Sequence, residues 1–308
     1  MHTTAFFLGK GGVGKTTLSS AFALALARNG KRVLIASLDP AHNLGDALKT
    51  SLNGEPKQVE SNLDALEVDL AHWVDTYLNE SRAQLKATYS YNLTLNLDSF
   101  FGILKYSPGT EEYAMLWAIE DIHCRLAPNY DFVVFDTPPT ALSLRFLSLP
   151  AISGLWVAEL TKLRGKILQR RQTITRLNPE SPVAASCVDK SDDKVYGKLG
   201  SIRARLSALD ALFSRQSFLS VIVNPDNLSV LEALRIKEEL SRLGITLSAV
   251  CVNKQGVSDA AWEQTAELGH LPQFSYNFSR AGISTRDELT AIGAESLMRY
   301  FLEEGKKK

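Results

Sequence analysis

Gly9-Lys10-Gly11-Gly12-Val13-Gly14-Lys15-Thr16-Thr17 fits G-x-x-x-x-G-K-[ST], the phosphate-binding loop. The apolar run Thr3 to Leu8 leads directly into it, as a buried strand would. Gly11, Gly12 and Gly14 lack a Cβ, so the backbone can turn sharply and aim its N–H groups, that of Val13 included, at phosphate oxygens. From about Lys15, through Thr17 to Ala25, the pattern is helical. That helix would point its N-terminal dipole at the same anion. Lys15 is expected to neutralise the β/γ-phosphates, and Thr16 to ligate Mg²⁺ through its hydroxyl. A glycine-rich string alone would say little; strand, loop, Lys-Thr and helix in this order say nucleotide phosphate.

Composition bounds the rest. The chain has 308 residues, 45% hydrophobic and 22% charged, ordinary for a globular protein with a sizeable core. Its net charge of zero gives no global field toward nucleic acid or an anionic membrane, so no nucleic-acid partner is expected. No signal peptide is expected, since the first strand and the loop occupy the N-terminus. No run of about 18 apolar residues suggests a membrane span. Cys124, Cys187 and Cys251 are well separated and form no C-x-x-C. Cys124 and Cys251 sit in apolar patterns and are expected in the core; Cys187 is expected to be exposed. The cytoplasm, which supplies ATP, is the expected compartment.

Arg32 to Ser37 is a second buried strand, and Asp39-Pro40-Ala41-His42-Asn43-Leu44 follows it. Doubly wound sheets place ligands at the carboxyl ends of parallel strands, so Asp39 is placed to address a γ-phosphate or its attacking water. Leu66 to Val68 is a short third strand. Leu70 to about Lys105 is helical and rich in large apolar residues, too long for one crossover. Ser107-Pro108-Gly109-Thr110-Glu111-Glu112 precedes a helix expected over Glu111 to Leu126. Tyr130 to Asp136 is a long buried strand ending in an acid, a Walker B arrangement, with Asp136 expected on Mg²⁺ through water. Residues 150 to about 215 form a second helical segment, apolar first and then basic, broken by a polar stretch Asn178 to Asp193 expected as a loop. Phe218 to Val223 and Leu247 to Val252 are strands, with a helix Leu228 to Leu243 between them ended by Gly244. Thr285 to Phe301 is expected as one amphipathic helix packed back on the sheet. The fold class is therefore α/β: a doubly wound, mostly parallel sheet with an inserted helical subdomain. It is expected as one domain over residues 1 to 308, with insertions near 70–126 and 150–215.

The loop with its early lysine, G-K-G-G-x-G-K-[ST]-[ST], resembles the deviant Walker A loop of nucleotide-dependent dimers. Asp-Pro-Ala-His-Asn-Leu after strand two resembles the first switch of the arsenite-pump ATPase and tail-anchored-protein targeting factor family. Asp136-Thr137-Pro138-Pro139-Thr140 through Leu144-Arg145-Phe146-Leu147 to Pro150 resembles its second switch, with Pro138 for an alanine and Ala141-Leu142 for glycine-histidine. The P-G-x-x-E segment and Val252-Asn253-Lys254 also occur in the family's order. The resemblance implies ATP and Mg²⁺ as cofactors and a nucleotide-dependent homodimer. It implies Lys10 reaching the partner's phosphates, Asp39 orienting the water and joining Asp136 around the metal, and Asn43 near the nucleotide. Asn253 would read the adenine edge, for which an amide has the right donor and acceptor. Leu271-Pro272-Gln273-Phe274 resembles a loop closing over the base, which puts Pro272 and Phe274 among the nucleotide contacts. His42 is read as a hydrogen-bonded switch residue, because Asp39 already fills the water-activating role.

The purpose of hydrolysis is less determined. One hypothesis is a targeting chaperone whose apolar stretches 70–105 and 146–163 cover a membrane-protein client's hydrophobic helix, acting with a membrane insertase. With three methionines the chain lacks the Met-rich surface that varied clients favour. It also lacks the zinc C-x-x-C of eukaryotic targeting dimers, which points to a prokaryotic-type member. The alternative is the energising ATPase of an arsenite efflux pump, which calls for soft thiolates; no cysteine pair is visible in the sequence, although Cys124, Cys187 and Cys251 could meet in space or across a dimer. A DNA- or division-positioning ATPase ranks last, since those lack the Asp-Pro-Ala-His-Asn switch.

Overall fold

The computed structural model describes residues 3–41, 43–88, 105, 107–180, 189–256, 268–279 and 285–307. His42, Cys187 and residues 89–104 of the apolar stretch 70–105 lie outside these. Eight strands form one sheet in the order β3-β4-β2-β5-β1-β6-β7-β8. In chain order they are β1 (Thr4–Leu8), β2 (Val33–Ser37), β3 (Lys57–Glu60), β4 (Leu63–Glu67), β5 (Phe132–Asp136), β6 (Ser217–Val223), β7 (Ala249–Gln255) and β8 (Gln273–Asn277). All neighbours run parallel except β3, which pairs antiparallel with β4. The fold is the expected α/β doubly wound sheet.

Both faces are covered, which is why β1, β2 and β5 are buried at every position and mostly apolar rather than alternating. Side chains still divide by the two-residue period. Phe7, Ile35, Val134 and Phe218 face α1 (Lys15–Arg28). Phe6, Leu34, Phe135 and Leu219 face the opposite side, against α4 (Thr110–Asp121) and α7 (Asn227–Arg242). Phe6 and Phe135 stack with ring centroids 4.7 Å apart across neighbouring strands.

Several expectations need correction. The short third strand is half of a hairpin: β3 and β4 are joined at Asn62, whose φ is +62°. β3 escapes notice because Lys57-Gln58-Val59-Glu60 is a polar edge strand. The first helical stretch is α3 (Leu70–Thr88) among the described residues. α4 does not continue regularly to Leu126; it widens into a π-helical turn over Ile122–Leu126. Cys124 lies in that turn and is exposed, not core, whereas Cys251 is buried as expected. The C-terminal helix is two, α8 (Arg286–Thr290) and α9 (Glu295–Lys307), parted at Gly293. Phe301 of α9 packs edge-on against Phe22 and Phe132.

The largest difference concerns the second helical segment. α5 spans Thr140–Leu177, 38 residues, and begins inside the second switch rather than after Pro150. Pro150 is interior; it gives up one i→i−4 bond without ending the helix. α6 (Lys194–Ala211) returns alongside, its first turn capped by Asp193, which accepts from the Tyr196 N–H at 2.7 Å. Asp193 also receives both Nε and Nη2 of Arg164 from α5, at 3.0 and 2.6 Å. α5 is long and apolar enough, by length and composition, to cross a bilayer, with 33% of that window buried in the fold. Counting uninterrupted apolar residues misses it because Arg145 and Glu159 break the runs.

Candidate functional site

The candidate site lies at the carboxyl ends of β1, β2, β5 and β7. The loop 9–14 leaves β1 and delivers Lys15 and Thr16 into the first turn of α1. Two glycines are sterically obligatory. A Cβ on Gly9 would stand 2.6 Å from the Ile222 carbonyl oxygen, and one on Gly14 (φ +96°) 2.3 Å from the Asn253 amide nitrogen. Gly11, Gly12 and Lys10 are exposed, Val13 is buried beneath them, and Thr17 is half-buried on α1.

Lys15 is 6% exposed. Burial lowers its pKa, opposed by the carboxylates of Asp136 and then Asp39. Its Nζ donates to the Lys10 carbonyl at 3.3 Å. A buried cation held between two acids and a carbonyl can exchange those partners for phosphate oxygens with little reorganisation.

Asp136 ends β5 and is fully buried. Thr16 Oγ1 donates to its Oδ2 at 2.7 Å, and Ser37 Oγ approaches the same oxygen at 3.4 Å. Its other oxygen, Oδ1, is buried with no hydrogen-bond partner among the described residues. Burial pushes the carboxyl up to about 6, although Thr16 and Lys15 favour its ionised form. A buried, half-satisfied carboxylate beside a hydroxyl fits a hard divalent cation with oxygen ligands.

Asp39 sits two residues beyond β2, half-buried. Its Oδ1 accepts from the Ala41 N–H at 3.0 Å, and its own N–H donates to Ser37 Oγ at 3.3 Å. Ser37 therefore links Asp39 to Asp136. Asn43 opens the six-residue α2 (Asn43–Leu48) and is exposed. Sequence reasoning missed Glu67 at the carboxyl end of β4. Its Oε1 accepts from the Gly45 N–H at 2.9 Å, anchoring α2 to the sheet. The available signal was an acid at a strand end next to the first switch.

The second switch is fixed at its base by the Thr137 hydroxyl, which donates to the Phe7 carbonyl at 2.6 Å. Higher up, Arg145 pairs with the buried Glu112 of α4 at 3.2 Å, and the Tyr113 hydroxyl meets Ser153 Oγ at 2.8 Å. The P-G-x-x-E segment is thus tied to α5.

Asn253 comes to the loop, its Nδ2 donating to the Val13 carbonyl at 2.8 Å. Pro272 and Phe274 do not. Pro272 immediately precedes β8 and Phe274 lies within it, in register with Cys251, nearer the amino end of the strand than Asn253, and packed on Tyr300 of α9. The carboxyl end of β8, where a base-closing segment would begin, is at Asn277, with Phe278 next and exposed.

Residues 2–268 match the profile of the family described as Anion-transporting ATPase. A protein of Aquifex aeolicus named Putative arsenical pump-driving ATPase 2 is 31% identical over 249 residues, covering 81% of this chain and 79% of its own length. ATPase ARSA2 of Chlamydomonas reinhardtii is 36% identical over 260 residues, covering 81% and 67%. ATPase ASNA1 homolog of Entamoeba histolytica is 39% identical over 163 residues, covering 52% and 49%. The chain spans between about half and four fifths of these relatives.

Proposed function

This chain belongs to the anion-transporting ATPase family and is an ATPase, and on that premise we propose that it works as a nucleotide-dependent homodimer that holds an apolar helix of a membrane-protein client along α5. One observation carries this reading. Ile152, Leu155, Trp156, Leu160, Leu163 and Ile167 are all exposed on α5. At 100° per residue Ile152, Trp156, Leu160, Leu163 and Ile167 fall within an arc of about 80°, one continuous stripe, with Leu155 about 60° to its side beyond Glu159 and Lys166. The buried residues Phe146, Val157 and Leu168 fall about 40–80° beyond the stripe's edge, so the stripe is not the helix's own core face. A contiguous exposed apolar face of this kind marks a docking surface. Beside it, α3, α4, α5 and α6 enclose a cavity of about 420 Å³ with an aromatic lining that includes Tyr77, Trp117 and Trp156. Together these four helices make the helical subdomain.

In the site, Lys15 balances phosphate charge, and Lys10 is free at the surface to serve a partner subunit's phosphates. Thr16 directly, and Asp136 and Asp39 through water, would hold Mg²⁺, which supplies charge neutralisation to the phosphates when bound. Asp39 orients the attacking water. α5 starts four residues after Asp136, so a change at the second switch reaches the stripe along one helix.

Asp39→Asn, purified with ATP and Mg²⁺, tests the reading. It should bind ATP, turn over at least a hundredfold more slowly, and retain proteins bearing a terminal hydrophobic helix. Turnover at the wild-type rate would remove Asp39 from the water's side. A trapped protein that retains no such client would remove the client assignment.

The second reading, energising an arsenite pump, draws support from the relatives named arsenical pump-driving ATPases. Cys251 belongs to the α1 face and Cys124 to the exposed turn after α4 on the other face, so these two do not converge on a thiolate site. Stimulation of ATPase turnover by arsenite would favour this second reading.

A further inference from the structure

The carboxyl end of β7 meets the phosphate loop with two adjacent side chains. Asn253 Nδ2 donates to the Val13 carbonyl at 2.8 Å, and Lys254 Nζ donates to the Gly12 carbonyl at 2.9 Å. Lys254 adopts φ +56°, a left-handed conformation unfavourable for lysine. Its own N–H donates to Asn253 Oδ1 at 2.9 Å, which fixes the dipeptide. The absence of a Cβ on Gly14 makes room for the Asn253 amide.

We propose that Lys254, acting with Asn253, is a positioning residue that sets the direction of the loop's peptide units. A trans peptide is planar, with its C=O and N–H pointing opposite ways. Drawing the Gly12 carbonyl toward β7 turns the Val13 N–H away from β7. Drawing the Val13 carbonyl does the same for the Gly14 N–H. These N–H groups are donors that a phosphate uses in such a loop. Asn253 can keep its bond to Val13 and still offer a second amide hydrogen and an oxygen lone pair to a ligand. Base end and phosphate end of the site would then be joined through one dipeptide.

The probe is Mg²⁺–tripolyphosphate, which has no base or ribose. Lys254→Met should weaken tripolyphosphate and ATP alike, each about tenfold, and speed hydrogen exchange at the Val13 and Gly14 amides of the ligand-free protein. Lys254→Gly relieves the left-handed backbone, so it should be at least as resistant to heat as the parent yet show the same loss of tripolyphosphate binding. Lys254→Arg, which keeps a cation on a long arm, should recover most of it. Loss for ATP alone would make Lys254 a base or ribose contact and overturn the proposal. Weakened binding with unchanged amide exchange would make it a direct phosphate ligand and also overturn it. Unaltered tripolyphosphate binding in the Met and Gly variants would end it.

Discussion

Leu155 and Trp156 on α5 give the sharpest test of the docking surface. They are 72% and 69% exposed in the free chain, so about seven tenths of each side chain is still available for burial. Complete burial of a large apolar side chain is worth about 1.5–3 kcal/mol. Covering the remaining surface of both should contribute about 3 kcal/mol to holding an apolar helix. Leu155→Ser with Trp156→Ser should therefore weaken that complex by about two orders of magnitude. The fold itself should be spared, since surface substitutions usually change stability by about 0.5 kcal/mol or less. The assay is fluorescence anisotropy of a labelled peptide with about twenty consecutive apolar residues, titrated with ATP-loaded Asp39→Asn protein with and without the two serines. Basal ATP turnover, measured in the wild-type background, should not change, because neither side chain touches the loop or the switches. Affinities within about threefold of each other would show that the stripe is not where the helix lies.

Other predictions follow from single groups. Asp193 is both the α6 cap and the partner of Arg164, so Asp193→Ala should lower the unfolding free energy by about 3 kcal/mol, read from urea transitions. Arg164 holds the Asp193 carboxyl below its ordinary 3.8, so this stabilisation is present above that pH and fades as pH falls through the depressed value. Asp136 has the opposite sign. Between 3.8 and about 6 the folded, Mg²⁺-free protein keeps a proton that the unfolded chain releases. Stability should therefore fall as pH rises across that window, and Asp136→Asn should flatten the slope in urea midpoints measured against pH. Cys251 is fully buried, its thiol pushed up to about 12, while Cys124 is exposed. Alkylation mapped by mass spectrometry should reach Cys124 in the native protein and Cys251 only on unfolding.

The sequence exposes what burial makes repetitive. β1, β2, β5 and β6 are buried on both faces and predominantly apolar, so each stands out from its neighbours. The loop, Asp39 and Asp136 are legible because phosphate chemistry demands those residue types at strand ends. β3 is not legible, since an edge strand with one face wet needs only one buried residue, Val59. α5 is hidden because Pro138, Pro139 and Pro150 resemble loop punctuation, yet Pro139 precedes the first turn and the neighbouring helices hold the chain helical past Pro150. Phe274 is assigned to a loop by the resemblance of Leu-Pro-Gln-Phe to a base-closing segment, whereas its strand is made by backbone pairing to β7. Lys254 and Glu67 act through carbonyls and amides of the main chain, and such partners leave no pattern in side-chain identities.

The continuous course of α5 has a mechanical consequence. At 1.5 Å per residue its 38 residues make a rod of about 57 Å. Thr140 sits at the base, four residues from the buried carboxylate of Asp136. A tilt of about 10° there swings the far end at Leu177 through about 10 Å, while Phe146, near the pivot, moves by about 2 Å and keeps its packing. Pro150 stands about 15 Å along the rod, the one place where a lost hydrogen bond lets it flex. The geometry thus multiplies displacement roughly in proportion to distance, so an ångström-scale shift at the β5 end of the rod becomes a nanometre-scale one at Leu177.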